Sequence, residues 1–137
     1  MQLYLEPPMF DDVAATLAAM KAKKLRTAIL SNGSTTMLAA AVNGHNLRGM
    51  LDLVISVDEA QVFKPHPSVY KLPAAKLGIE TDKILFVSSN GWDAHAAKHF
   101  GFRVAWINRL GQTRETLPSP PDFELKSLSE IPALLGL

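Results

Sequence analysis

The sequence predicts a three-layer α/β/α domain built on a parallel sheet, and three observations carry this. Helix-like and strand-like segments alternate along the chain, as they do when helices cover both faces of a parallel sheet. The strand-like runs, Thr27-Ala28-Ile29-Leu30 and Ile84-Leu85-Phe86-Val87 among them, are continuous rather than alternating, so both their faces are expected to be covered. Two of the runs end alike, in Ser31-Asn32-Gly33 and in Ser88-Ser89-Asn90-Gly91, and each leads into a helix-like stretch.

Taken in order, Pro7 and Pro8 punctuate the start, and Phe10 and Asp11 open a first helix with a carboxylate near its positive end. Val13, Leu17 and Met20 form its apolar stripe, and Lys21, Lys23 and Lys24 suit its negative end. Thr27 to Leu30 is the first strand. Ser34 to Val42 is a helix stopped by Asn43-Gly44, and Leu53 to Ser56 is the second strand. Asp58 to Gln61 is at most one helical turn. Pro67 to Leu77 is a helix closed by Gly78, with a kink or a break near Lys71, because Pro73 inside it removes a backbone donor. Ile84 to Ser88 is the third strand, Trp92 to Phe100 a helix closed by Gly101, and Val104 to Ile107 the fourth strand. Gly111 to Pro121 is loop. Ser127-Leu128-Ser129-Glu130 is a capping box for a last short helix. The whole describes a Rossmann-like sheet.

Composition bounds the function. A chain of 137 residues suits a single domain spanning 1–137, and 47% hydrophobic against 20% charged residues allows a real core. A net charge of +1 argues against a nucleic-acid partner. No apolar run is long enough to cross a bilayer. Cysteine is absent, which suits a reducing compartment. No basic-then-apolar order marks the N-terminus as a signal peptide, so a cytoplasmic location is expected and the Asn32-Gly33-Ser34 sequon is idle.

In an open α/β sheet, ligands bind beyond the carboxyl ends of the strands. The two Ser-Asn-Gly junctions therefore fall at the expected site, with Phe63-Lys64-Pro65-His66-Pro67 between them in sequence. Ser31, Asn32 and Gly33 present a hydroxyl, an amide and backbone N–H groups at a helix start, either an anion nest or merely a capped helix with a glycine turn. Lys64 is either a solvated lysine or a packed cation that needs an anionic partner. Asp93 is the lone carboxylate near the second junction. It reads either as a helix-end cap or as a group that holds or deprotonates water. Ser89 and Asn90 are neutral, so no divalent metal site is expected. His95 and His99 stand four residues apart without a further ligand cluster, and a solvated helix face is the expectation. His45 and His66 are isolated, although Pro-His-Pro is placed to brace Lys64. Trp92 and Trp106 are expected in the core, with Trp92 also suited to wall a small pocket.

Ser31-Asn32-Gly33, Lys64-Pro65-His66-Pro67-Ser68-Val69-Tyr70, Phe86-Val87-Ser88-Ser89-Asn90-Gly91-Trp92-Asp93, Phe100-Gly101-Phe102 and Trp106-Ile107-Asn108-Arg109 together resemble the haloacid dehalogenase superfamily, and within it the type II L-2-haloacid dehalogenases. The resemblance runs from about Pro8 to Leu135. It implies a haloacid dehalogenase-like fold and a cofactor-free, hydrolytic dehalogenation of small 2-haloalkanoic acids, in which an aspartate displaces halide and water then cleaves the ester. On the matching positions, Ser31 and the Asn32 backbone would bind the substrate carboxylate. Lys64 would orient the nucleophile with support from Ser88, and Tyr70 would lie beside it. Asn90 and Asp93 would position and activate water, and Asn32 and Trp92 would line the halide side. Superfamily phosphatases usually carry two acidic residues in the second junction for magnesium, and this chain does not.

The family's Asp-x-Tyr-Gly-Thr nucleophile motif and its helical cap have no counterpart in these residues. The chain resembles the C-terminal part of the core, truncated, and the expectation is that it cannot turn over substrate alone. The resemblance implies that the family's nucleophile-bearing strand lies at the sheet centre, between the strands matching Thr27–Ser31 and Ile84–Ser88, so its loss would leave two half-sheets with unpaired inner edges. They could close on each other, accept Leu3-Tyr4-Leu5, take a strand from a second chain in a homodimer or strand-swapped oligomer, or belong to a longer gene product. The partners expected are a small-molecule carboxylate or halide. The other readings are a non-catalytic remnant that binds an anion or a partner chain, and a magnesium-dependent phosphatase.

Overall fold

The structure, a computed structural model, describes residues 12–137. Helix α1 runs over Asp12–Ala22, with Asp12 in its first turn and Lys21 in its last, each complementing the helix dipole. Phe10 and Asp11, expected to open it, lie outside the described residues, as does Leu3-Tyr4-Leu5. Strand β1 is Ala28–Ser31 and α2 is Thr35–Gly44, whose first turn is capped by the Ser34 hydroxyl accepting from the Met37 N–H. Asn43 and Gly44 do not stop α2; it ends at His45, and Asn46 turns the chain at φ 57°. Strand β2 is Leu53–Ser56. The expected break near Lys71 is present: α3 spans Pro67–Tyr70 and α4 spans Leu72–Leu77, with Pro73 in the opening turn of α4, where its missing N–H costs nothing. Strand β3 is Leu85–Ser88, α5 is Gly91–Phe100, and β4 is Arg103–Ile107.

Beyond the expectation lies a fifth strand, β5, at Phe123–Leu125, parallel to β4 with Phe123 opposite Ala105. Three residues are too few to display a periodicity, so the backbone bonds to β4 define this strand rather than its side chains. The capping box forms as read, with Ser127 and Glu130 closing the turn that leads into α6, Ile131–Leu134.

Among the described residues all strand pairs are parallel, and the sheet is split into β1-β2 and β3-β4-β5. The main core lies under the larger part, where Tyr70, Phe86 and Phe102 are buried and Phe100 packs against them. Ring centroids 5.1 to 6.4 Å apart place these aromatics in tilted and edge contacts. A second cluster joins Met20 of α1 to Ile107 of β4 and Ile131 of α6.

Among the described residues the half-sheets do not close on each other. A cavity of about 660 Å³ lies between the inner edges of β1 and β3. Hydrogen bonds border the cavity at both ends. At the amino ends, Arg26 Nη1 donates to the Leu77 carbonyl at 2.9 Å. At the carboxyl ends, Lys64 bonds Asn32 beyond β1 and Asp93 beyond β3.

A third tie fixes α1. Asp12 accepts two bonds from the Arg109 guanidinium at 3.0 Å, one from Ser127 Oγ at 2.7 Å and one from the Leu128 N–H at 2.7 Å. The Arg109 bonds, aided by Ser127 and Leu128, hold its carboxyl at about 2 against an ordinary 3.8. A depressed folded-state value makes this contribution complete above pH 4, and protonation removes it as pH falls towards 2. The shift corresponds to about 2 kcal/mol at most, nearer 1 once solvent screening of the partly exposed pair is allowed for. Urea unfolding at pH 5.5 and pH 3 should therefore show the gap between wild type and Asp12→Asn narrowing at the lower pH. A gap independent of pH would refute the assignment.

Candidate functional site

The site is assembled around one buried carboxylate. Asp93 sits in the first turn of α5, where the helix dipole favours a negative group. It does not cap the helix; Asn90 holds that position, and the Asp93 side chain turns inward. Its Oδ1 accepts from the Tyr70 hydroxyl at 2.6 Å, and its Oδ2 accepts from Ser88 Oγ at 2.9 Å and Lys64 Nζ at 3.0 Å. Burial, together with the Asp93 carboxylate, pushes the Tyr70 phenol above its ordinary value, so Tyr70 stays a donor. Three of the roughly four acceptor positions of a carboxylate are thus filled.

Lys64 is a packed cation, as its proline-fenced setting suggests. Its side chain is 9% exposed and that of Asp93 is 5% exposed. The ammonium stands 5.3 Å from the centroid of the Phe86 ring, an additional attraction for a desolvated cation. The Lys64 backbone N–H donates to Asn32 Oδ1 at 2.9 Å, which ties the first junction to the lysine loop. His66 braces the following turn by accepting the Ser68 N–H at Nδ1.

The structure therefore brings together Lys64, Tyr70, Ser88 and Asp93, with Asn32 linked through the Lys64 backbone. The first junction differs from an open anion nest. The Gly33 N–H is spent on Ser31 Oγ at 3.0 Å, and the chain's own Asp58 takes the Thr35 N–H and hydroxyl at the start of α2. These Thr35 bonds hold the Asp58 carboxyl below its ordinary value. Ser56 fixes the arrangement, donating to the Gly33 carbonyl and accepting the Asp58 N–H. Ser31 accepts from Gly33 and keeps its own proton to donate.

Asn90 and Trp92 lie at the rim. The Asn90 N–H donates to Ser88 Oγ, but no hydrogen bond joins the side chain of Asn90 or Trp92 to Lys64 or Asp93. Trp92 is 39% exposed rather than in the core, whereas Trp106 is buried and donates to the Ser89 carbonyl. The expectation of a solvated face fails for His95, which is buried with Nδ1 3.0 Å from the Pro118 carbonyl. His99 meets Ser119 Oγ, so the two histidines pin the loop at 111–121. Among the described residues no three His, Cys, Asp or Glu side chains gather as a metal site.

Sequence reasoning missed two participants. Asp58 gave no signal, because its partner Thr35 lies 23 residues away. Phe86 was legible only as a core strand residue, though its ring also faces the buried cation.

The family profile for haloacid dehalogenase-like hydrolases matches residues 1–101. The chain belongs to this family. Among curated haloacid dehalogenase-like relatives, the haloacetate dehalogenase H-2 of Moraxella sp. (strain B) is 41% identical over 134 residues, covering 98% of this chain and 60% of the relative. The (S)-2-haloacid dehalogenase of Pseudomonas sp. (strain YL) is 44% identical over 128 residues, covering 93% of this chain and 55% of that protein. The chain thus spans somewhat over half the length of the curated relatives it matches. The solved L-2-haloacid dehalogenase from Xanthobacter autotrophicus, with chloropropionic acid covalently bound, superposes with a TM-score of 0.93 at 38% identity, over 98% of this chain and 64% of that one. The described residues contain no helix long and apolar enough to cross a membrane.

Proposed function

We propose that this chain is the Lys64-bearing part of a cytoplasmic (S)-2-haloacid dehalogenase, acting on small 2-haloalkanoic acids through an aspartyl ester and without a cofactor. One observation carries the reading. A sealed Lys64–Asp93 pair, braced by Ser88 and Tyr70, stands at the carboxyl ends of the strands beside a cavity lined by no Asp or Glu side chain of the described residues.

In the proposed reaction a carboxylate held opposite Lys64 attacks the carbon bearing the halogen. A carbon–oxygen bond forms, the carbon–halogen bond breaks, and halide leaves with the electron pair. Lys64 orients the nucleophile and offsets its charge, while fixed donors stabilise the charge that develops. Ser31 donates to the substrate carboxylate, assisted by the Asn32 backbone, with Gly33 shaping the turn. Asn32 and Trp92 border the halide. Water positioned by Asn90 then attacks the ester carbonyl while Asp93 takes its proton through its remaining acceptor position; the ester's acyl carbon–oxygen bond breaks, the departing oxygen takes that proton back, and the 2-hydroxy acid leaves with the nucleophile's carboxyl group restored.

The nucleophile is not among the described residues: the one carboxylate they bond to Lys64 is Asp93, and three donors hold it in place, Lys64, Ser88 and Tyr70. Purified 137-residue protein incubated with L-2-chloropropionate is expected to release no halide above the buffer rate. Sustained halide release would show that the chain holds its own nucleophile. The same observation favours a second reading, a family member that binds a small anion or a partner chain without turnover; saturable binding of 2-hydroxypropionate or chloride by the unassisted chain would be its signature.

A further inference from the structure

We propose that Asn90-Gly91 is a self-modifying site: the Gly91 nitrogen closes on the Asn90 side-chain amide, ammonia is expelled, and water then leaves an aspartate or isoaspartate at position 90. The conversion stands on these residues alone, and only its consequence for the water step rests on the dehalogenase reading.

The chemistry belongs to any asparagine followed by glycine, because a residue without a Cβ lets its backbone nitrogen approach the preceding side chain. The chain holds this pair three times, at Asn32-Gly33, Asn43-Gly44 and Asn90-Gly91. Their surroundings differ. At the first pair both reacting groups are occupied: Asn32 Oδ1 accepts the Lys64 N–H at 2.9 Å, and the Gly33 N–H is donated to Ser31 Oγ at 3.0 Å. At the second pair, Asn43 and Gly44 lie within α2, where helical backbone directs the Gly44 N–H back along the axis. The Asn43 carbonyl also accepts the Asn46 N–H at 3.2 Å.

The third pair has neither protection. Asn90 is exposed, and its side chain makes no capping bond to α5. Gly91 is the first residue of α5, where an N–H has no acceptor in its own helix. The hydrogen bonds that Asn90 makes among the described residues are through its backbone, whose N–H donates to Ser88 Oγ and whose carbonyl accepts from Ser88 Oγ and the Ala94 N–H.

The reacting groups meet when the Asn90 Cα–C bond turns from its ψ of 119° and the Ala94 bond to the Asn90 carbonyl opens. Helix ends open at the lowest cost. A bond then forms between the Gly91 nitrogen and Asn90 Cγ, the Cγ–Nδ2 bond breaks, and the amide nitrogen leaves as ammonia with the Gly91 proton. Water opens the resulting ring. Attack at Cγ gives aspartate, and attack at the backbone carbonyl gives isoaspartate, whose main chain is one carbon longer. Either product adds a carboxylate to an end of α5 that already holds Asp93 and is approached by Glu115, whose Cγ would stand 2.7 Å from a Cβ on Gly91. Aspartate is a good helix cap, so this product keeps the fold. In the dehalogenase reading the amide that positions water, both donor and acceptor, becomes an acceptor only.

The test incubates the full chain for several days at mildly alkaline pH in heavy-oxygen water, digests it and weighs the peptides. The peptide holding position 90 should exchange its amide nitrogen for a solvent oxygen and split into aspartate and isoaspartate forms. Asn32 and Asn43 should convert at least about tenfold more slowly, a barrier difference of about 1.4 kcal/mol. In urea, with the fold removed, the three should convert at similar rates. Gly91→Ala should slow the reaction at Asn90 by about tenfold or more, and pairing it with Glu115→Ala gives the added methyl room. An intact amide at position 90, or conversion of Asn32 or Asn43 as fast as that of Asn90 in the folded chain, overturns the proposal. So does an order of rates that urea leaves unchanged, or undiminished conversion in both Gly91→Ala variants. Every readout is a mass, so failure of the dehalogenase reading leaves the result standing, and failure here leaves that reading untouched.

Discussion

Lys64→Met is expected to be among the most destabilising single changes in the chain, by about 3 kcal/mol and at the lower end of what breaking a buried ion pair costs. The argument concerns what remains. Asp93 would keep the Tyr70 and Ser88 hydroxyls as donors but lose its only counter-charge while only 5% exposed. Two surviving hydrogen bonds soften the loss and do not cancel it, because a desolvated carboxylate is stabilised by charge as well as by donors. For a chain of this size the unfolding midpoint should fall by roughly 10 °C. The paired change Lys64→Met with Asp93→Leu should recover most of that, since replacing both buried charges by apolar groups removes the desolvation penalty along with the attraction. A double-mutant cycle from urea unfolding measures the coupling. A single variant within about 0.5 kcal/mol of wild type, the range of ordinary surface changes, would mean that the pair is not sealed as the structure has it. The recovered double variant matters for function too. A stable chain with an apolar pair there would show that the ion pair is retained for its chemistry and not for stability.

How much of this was legible in the sequence depends on how local each signal is. The helix break before Pro73 was readable because one missing N–H decides it. The Ser127 capping box was readable because its partners sit three residues apart. Lys64 was readable as one of two alternatives, a packed cation or a solvated lysine, and strand-end logic brought the two Ser-Asn-Gly junctions towards it, but the pairing with Asp93 came from the structure. What failed is non-local. Asp58 fills the start of α2 across 23 residues, and β5 exists because β4 offers it an edge. His95 looked solvated at helical spacing, yet the returning loop covers it through Pro118. Trp92 erred in the opposite direction. A tryptophan after a buried strand suggests core, but it sits past the carboxyl end, where the sheet stops covering it. The split sheet itself follows from no single residue; the resemblance to the family raised the unpaired inner edges and left open how they are resolved.

The second large effect belongs to the completed site. When the strand and cap implied by the family resemblance are joined ahead of this chain, taken from the Pseudomonas sp. (strain YL) relative, the chimera is expected to release halide from L-2-chloropropionate. Asp93→Asn in that chimera should cut steady turnover by about 10²- to 10⁴-fold, the usual weight of a positioned general base. Asp93 contacts Lys64 and is also proposed to take the proton of water, so the loss by itself does not assign its role. The time course does. In the proposed reaction halide leaves in the first step and water enters in the second. If Asp93 serves the water, the Asn variant should release one halide per protein in a rapid burst and then stall with the ester intact, visible as added mass on the protein. If Asp93 serves only to hold Lys64, the first step fails and neither burst nor added mass appears. Tyr70→Phe supplies the contrast: it removes the 2.6 Å donor from Oδ1, the oxygen that carries the one unfilled acceptor position. Losing that hydrogen bond to a charged group should cost about tenfold in turnover. A Tyr70→Phe loss as large as that of Asp93→Asn, with no burst in either, would move the essential act of this cluster from activating water to aligning the nucleophile.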